Sequence, residues 1–421
     1  MSHPFDRIVA RPLIALWLRF SPHSWDRLPV PTDEPRVFAP GRDPDRILIL
    51  GDGPATGRGV ITYDLALPGA LARRLSALTG RGVDIEILVD ARMTAAASLA
   101  ALDGVDLSRF DATVVSVGPV EALRFTSMGR WVRDLTALLD RLDRAAPNAI
   151  TFFMGVPFFD SHRHFPTALA RAADRRVERL NRAARAIIAR RRSTVFVPIE
   201  RTASLEAADS ARYIDPATIV AEHIVPALPP HEVREAIAAR TLAADGAAPV
   251  DAATAAAADD AYESQRLIAL GALGMTASID DPVLNGLTRR ARELFGTSIA
   301  IVNLVGERRL TSASTSGYPA LDEPREETYC DLTIREAKLL VLEDLESDER
   351  AAHLRAESAR HGVRFYAGYP IESPDGHRVG AFCVLDSQPR TFSDDDAILL
   401  RSLALEAQRR LWELSRRPSA D

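Results

Sequence analysis

The stretch RILILGDGPATGRG, residues 46–59, runs an apolar segment into Gly51-Asp52-Gly53 and turns again at Gly57. Backbone amides presented where a strand feeds a helix can hold an anion. Gly51, Gly53 and Gly57 are candidates for such a cradle, with Arg58 and Arg124 as cations to close on it. The spacing matches neither a dinucleotide fingerprint nor a phosphate-binding P-loop. The competing reading is that the glycines only permit a tight turn. Downstream, FFDSHRHF offers Asp160, His162 and His164 as weak metal ligands. His-x-His alternates rather than sharing a helix face and no further ligand is evident, so an ordinary surface loop is the simpler reading. Cys330 and Cys383 are the only two cysteines. They are too few for a disulfide framework, which points to a reducing, cytoplasmic location. A redox pair requires a fold that brings them together.

Acyl transfer needs a nucleophile, a base beside it and donors for the developing oxyanion. ILILGDGPATG resembles the first block of the SGNH/GDSL hydrolases, and the resemblance extends over roughly residues 46–228. In that family a serine follows the Asp; here Gly53 does. The block VVSVGPVEAL supplies Gly118, Pro119, Val120 and Glu121, with Val120 where the family carries its oxyanion asparagine. In the last block Asp209 lies three residues before Arg212, where the family has histidine. Glycine offers no hydroxyl, valine no amide, and arginine stays protonated. The resemblance thus implies a degenerate hydrolase domain serving as a binding or interaction module rather than an enzyme. The alternative is an esterase-like hydrolase with a rebuilt or metal-assisted site, using Asp52, Glu121 or the 160–164 loop. A different hydroxyl, such as Thr56 or Ser116, paired to an imidazole would favour that alternative.

The elements that must position these residues are legible as alternating patterns. Apolar runs at 46–50, 83–89, 111–118, 148–157 and 193–199 are separated by helical segments with apolar residues at 3–4 spacing. Consecutive apolar positions suit strands buried on both faces. The pattern predicts a doubly wound, five-stranded parallel sheet, flavodoxin-like in order, with functional loops at the carboxyl ends of the strands. Residues 1–45 precede it. Their run PLIALWLRF is too short to span a bilayer, and reads as a strap on the first domain or as a membrane-surface helix. Residues 229–262, rich in Ala, Asp and Pro, read as a linker. Residues 263–416 alternate helices with strands and contain a hairpin turn at Asp375-Gly376, an α+β pattern, followed by a tail at 417–421.

Residues 263–415 resemble a GAF domain of bacterial sensory proteins. The resemblance rests on ESQRLIALGALG, REETYCDLTI, and above all RFYAGYPIESPDGHRVGAFCVLDSQPRTFSDDD. It implies an antiparallel sheet with helices on one face, a pocket on the other, and a role in binding a small ligand or in dimerisation for signalling. Tyr329, Cys330, Phe365, Tyr366, Phe382 and Cys383 are candidate pocket walls, with simple core filling as the alternative. His353 and His361 fall in a charged helix and read as exposed. Leu400, Leu403, Ala407, Leu411 and Leu414 repeat at 3–4 spacing, a seam either within the domain or for a homodimer. No cofactor is required by these residues, and no kinase, cyclase or DNA-binding pattern follows them. The 421 residues carry a formal charge of −6 and Lys338 as the single lysine, a balance that does not suit nucleic acid as a partner.

Overall fold

Ile47, Leu48, Ile49 and Leu50 are all buried, as a strand covered on both faces requires. The computed structural model describes residues 6–160, 164–199, 213–230, 252–275, 279–320, 322–336 and 338–416. The chain divides into two units, Met1–Gly246 and Ala247–Asp421.

In the first unit the strands are β1 (Arg36–Ala39), β2 (Arg42–Gly51), β3 (Arg81–Val89), β4 (Ala112–Ser116), β5 (Ile150–Met154) and β6 (Thr194–Val197). They form one six-stranded sheet in the order β1-β3-β2-β4-β5-β6. All neighbours from β3 to β6 run parallel, and β1 pairs antiparallel with β3. The five expected strands are present, and β1 is an addition from within the segment read as a strap. The helices are α1 (Arg11–Phe20), α2 (Leu67–Thr79), α3 (Ala95–Ala101), α4 (Pro119–Leu123), α5 (Met128–Ala145), α6 (Thr167–Ile188) and α7 (Ile214–Ala227). Side chains alternate across the sheet. Ile47 and Ile49 join α2 and α7 in one core layer, while Leu48 and Leu50 join α5 and α6 in the other. Ala10 and Ile14 seat α1 in that second layer, and Trp17 packs on Trp25 and Phe165. The outer side of α1 leaves Leu13, Leu16 and Phe20 exposed.

In the second unit the helices are α8 (Ala252–Ala272), α9 (Pro282–Phe295), α10 (Tyr329–Arg335), α11 (Arg355–His361) and α12 (Asp394–Ser415). The strands are β7 (Ile299–Val305), β8 (Arg309–Ser316), β9 (Asp322–Pro324), β10 (Leu340–Leu342), β11 (Phe365–Glu372) and β12 (Arg378–Asp386). They form a fully antiparallel sheet, β10-β11-β12-β7-β8-β9. Helices α9 and α12 pack on one face and α10 on the other. Helix α8 begins inside the stretch read as linker. Alanine has the highest helix propensity, so a segment without an apolar face still coils.

Two devices hold this unit. Asp281 caps α9 through the amides of Val283 and Leu284, and Arg410 of α12 reaches the same carboxylate at 2.7 Å, holding it below the usual carboxylate range. Arg266, 1% exposed, donates to Glu263 at 2.8 Å and to the carbonyls of Val305 and Gly306, fastening α8 to the β7–β8 turn. Leu400, Leu403, Ala407 and Leu411 are buried inside the unit, so the seam offered for a homodimer is occupied within the domain.

Candidate functional site

Strands β3 and β4 lie on opposite sides of β2, so the winding reverses between β2 and β4. Open α/β sheets bind ligands at the carboxyl end of such a switch point. Here a cleft of about 910 Å³ opens between Asp52-Gly53 after β2, Pro119-Val120 after β4, and Pro157 after β5. Helix α1 and the Trp25–Arg27 turn form its opposite wall. Of the anion-cradle residues, Gly53, Arg58 and Arg124 reach this cleft, and Gly51 and Gly57 do not. Gly51 is glycine for packing: at φ +127° a Cβ would stand 1.9 Å from the Ser116 carbonyl oxygen. Arg58 is committed to the protein, donating to the Trp25 carbonyl at 2.8 Å and pairing with Asp26 at 3.1 Å.

Asp52 lies in the cleft wall at 4% exposure. Burial pushes its carboxyl up to about 7, against the lowering effect of the Gly53 amide and Arg58. Glu121 does not line the cleft. Its Oε1 accepts from the Ala95 amide at 2.8 Å at the start of α3, and burial raises its pKa too. Gly118, at φ +120°, would drive a Cβ to 2.3 Å from Val156 Cγ2, so its role is steric. Val120 lines the cleft with an apolar side chain.

Three described hydroxyls near this edge are turned to carbonyls: Ser116 to Asp52 at 2.7 Å, Thr56 to Gly53 at 2.8 Å, and Tyr213 to Arg58 at 2.6 Å. His164 stacks on His23 at 4.2 Å, and His223 Nδ1 meets the Ile219 carbonyl. No hydroxyl–imidazole pair forms among the described residues of this unit. His162, Asp209 and Arg212 lie outside the described residues. Asp160 is exposed, and no group of three potential metal ligands occurs among the described residues.

In the second unit, a cavity of about 60 Å³ sits between the α10 face of the sheet and helices α10 and α11. Tyr329, Cys330, Tyr366 and Cys383 line it. Phe365 and Phe382 do not: each adjoins a lining residue on its strand and therefore points to the opposite face. There Phe365 packs on Phe392 at 5.8 Å. The polar members form a buried chain. Asn303 Nδ2 donates to Cys330 Sγ at 3.3 Å, Ser312 donates to Asn303 Oδ1 at 2.8 Å, and Tyr366 and Thr333 share a hydrogen bond of 2.5 Å. Gly368 makes room for this arrangement, because a Cβ there would lie 2.2 Å from the Tyr366 hydroxyl oxygen.

Both thiols are free and buried. Cys383 Sγ donates to the Ile301 carbonyl at 3.7 Å. The neighbouring Cys383 thiol holds Cys330 below its ordinary range, while Cys330 and burial push Cys383 well above it. His361, read from sequence as exposed, also lines the cavity. Its Nδ1 meets the Tyr318 hydroxyl at 2.7 Å, and its Nε2 lies 3.6–3.7 Å from Glu357 and Glu323. Asn303 is the wall residue the sequence most nearly signalled, as a lone amide within the apolar strand IAIVNLV. His353 is exposed as expected.

Residues 281–411 match the GAF domain family, and this part of the chain is a GAF domain. A cyclic di-GMP phosphodiesterase of Pseudomonas aeruginosa is 25% identical over 153 residues, 36% of this chain, so the chain spans only 26% of that relative's length. Among solved structures, the PixJ GAF domain of Thermosynechococcus elongatus is similar at 17% identity and a TM-score of 0.27, over 31% of this chain and 84% of that one. A GAF domain from an Acinetobacter phosphoenolpyruvate-protein phosphotransferase is 17% identical at a TM-score of 0.29, over 38% of this chain and 98% of the other. A carbohydrate esterase family 2 enzyme of Corynascus thermopiles is 16% identical at a TM-score of 0.34, over 45% and 68%. The GAF domain supports a sensory or signalling role. No helix among the described residues is long and apolar enough to cross a membrane.

Proposed function

We propose that this protein is a sensory protein whose GAF cavity receives a small ligand, while its first unit is a non-catalytic, SGNH-like binding module. The observation that carries the reading is the lined cavity within the GAF segment, with Asn303, Tyr366 and the two thiols converging on it. At about 60 Å³ the space is far below the 300 Å³ and more of a drug-sized site, so it suits a guest of a few heavy atoms. The parallel-strand order and the Asp52-Gly53 turn at the switch point support the hydrolase-like reading of the first unit. Gly53 in place of serine, with hydroxyls engaged by carbonyls, supports a loss of catalysis. Native mass spectrometry of the protein from its own host tests the proposal. It predicts a small retained mass that Asn303→Ala or Tyr366→Phe releases; protein that is always ligand-free, or ester turnover abolished by changes in the first cleft, would overturn it.

Two free thiols lining one cavity, with Cys330 held below its ordinary range, favour a second reading, in which the cavity senses oxidants. Thiol titration before and after peroxide decides: an unchanged count excludes it.

A further inference from the structure

The cleft of the first unit is lined by six arginines, Arg11, Arg19, Arg27, Arg58, Arg92 and Arg124, against two carboxylates, Asp26 and Asp52. Asp26 is already paired with Arg58. Burial keeps Asp52 partly neutral near pH 7, so it opposes an incoming anion only weakly. Arg19 lies over the Phe20 ring, and the side chains of Arg11, Arg27, Arg92 and Arg124 make no ion pair or hydrogen bond among the described residues. This concentration runs against the chain's net charge of −6. Like charges converging on one concave space repel one another unless something negative enters it.

The rest of the wall is apolar. Ile14 and Leu18 of α1, Trp25, Leu28, Leu123 and Phe159 face the same space. A volume of about 910 Å³ suits a ligand of drug or lipid size, not a lone inorganic ion. Guanidinium groups match carboxylate and phosphate oxygens through paired N–H donors. The apolar wall demands a body that loses by staying in water.

We propose that this cleft binds a small anionic amphiphile, with its carboxylate or phosphate head among Arg92, Arg124 and the arginines of α1 and its apolar body against Leu18, Trp25 and Phe159. The proposal rests on the non-catalytic reading of the first unit and names what that unit would bind. The pattern of neutralised anion plus apolar wall also sets it apart from a nucleic-acid surface, which would present its cations on an open face.

Calorimetric titration of the full chain with decanoate, decyl phosphate, decanol and inorganic phosphate tests it. Decanoate or decyl phosphate should bind at least about tenfold tighter than decanol and tighter than inorganic phosphate by a similar factor, each step being near 1.4 kcal/mol. Whichever of the two wins identifies the head group. Replacing Arg92 and Arg124 together by Gln should weaken the anion at least about tenfold and leave decanol unchanged. Both side chains are exposed, so the thermal transition should not move and the variant remains interpretable. Equal binding of decanol and the anions, inorganic phosphate binding as tightly as decyl phosphate, an unaffected double variant, or no binding at all would each refute the proposal. Hydrolysis of p-nitrophenyl decanoate would break the non-catalytic reading while leaving the anion preference to stand or fall by these titrations.

Discussion

Asp52→Asn should stabilise the first unit, and by an amount that depends on pH. In the fold the carboxyl titrates near 7, against 3.8 for a free aspartate, because burial penalises its charged form. A carboxyl whose folded pKa is raised holds its proton more tightly in the native state. Its contribution is therefore fully present below pH 3.8 and is lost as pH rises toward 7. The full loss is roughly 4 kcal/mol. Asparagine carries no charge at any pH and keeps an oxygen for the Gly53 amide. The variant should gain about 1.5 kcal/mol over wild type at pH 5 and roughly 4 kcal/mol at pH 8. Urea unfolding at the two pH values measures this. Tryptophan fluorescence is the natural probe, since Trp17, Trp25 and Trp131 belong to this unit and only Trp412 to the other. A gain that is equal at both pH values, or a variant less stable at pH 8, would refute the assignment of Asp52 as a buried, reluctantly ionised acid.

Gly53→Ser restores a hydroxyl at φ +67° with its Cβ 3.1 Å from Pro119, so it should cost about 1 kcal/mol in thermal stability. Its p-nitrophenyl acetate turnover should stay at the buffer rate; turnover above that rate would show a base that the described residues do not contain. Arg266→Met leaves two carbonyls without their donor and Glu263 with Arg325 alone, and should destabilise the GAF domain by about 1–3 kcal/mol in chemical denaturation. Arg266 and Arg325 together hold the Glu263 carboxyl down to about 2, so that clasp is lost as pH falls from 4.5 toward 2 and the gap between variant and wild type should narrow over that range. Gly368→Ala collides with the Tyr366 phenol and should cost about 1–3 kcal/mol, read as a lower melting temperature.

The five parallel strands were legible because consecutive β-branched and apolar residues leave few alternatives, and the Asp52 turn was legible because glycines punctuate it. The edge strand β1 was not. Its four residues, RVFA, are too few for a periodic signal and sit among prolines. The start of α8 lies in an alanine-rich stretch whose composition matches a linker while its propensity favours a helix. Phe365 and Phe382 leave the cavity wall for a reason the strand period carries: neighbours on a strand cannot share a face, so Tyr366 and Cys383 in the wall send both phenylalanines to the other side. Two cations of the cleft, Arg58 and Arg124, were legible beside the glycine turn, but the arginine-lined cleft as a whole had no local signature. Its cations come from α1, from the turns after Trp25 and after β3, and from the end of α4, and only the crossover of the sheet collects them.

Gly368 acts as a keyway cut into β11. The Tyr366 phenol slides into it and is locked there by Thr333, so that side of the chamber cannot yield without leaving a methyl-sized void worth about 1 kcal/mol. Thr333 stands on the short helix that also carries Tyr329 and Cys330, so the same lock pins that helix to the sheet and joins the phenols and the thiol into one rigid wall.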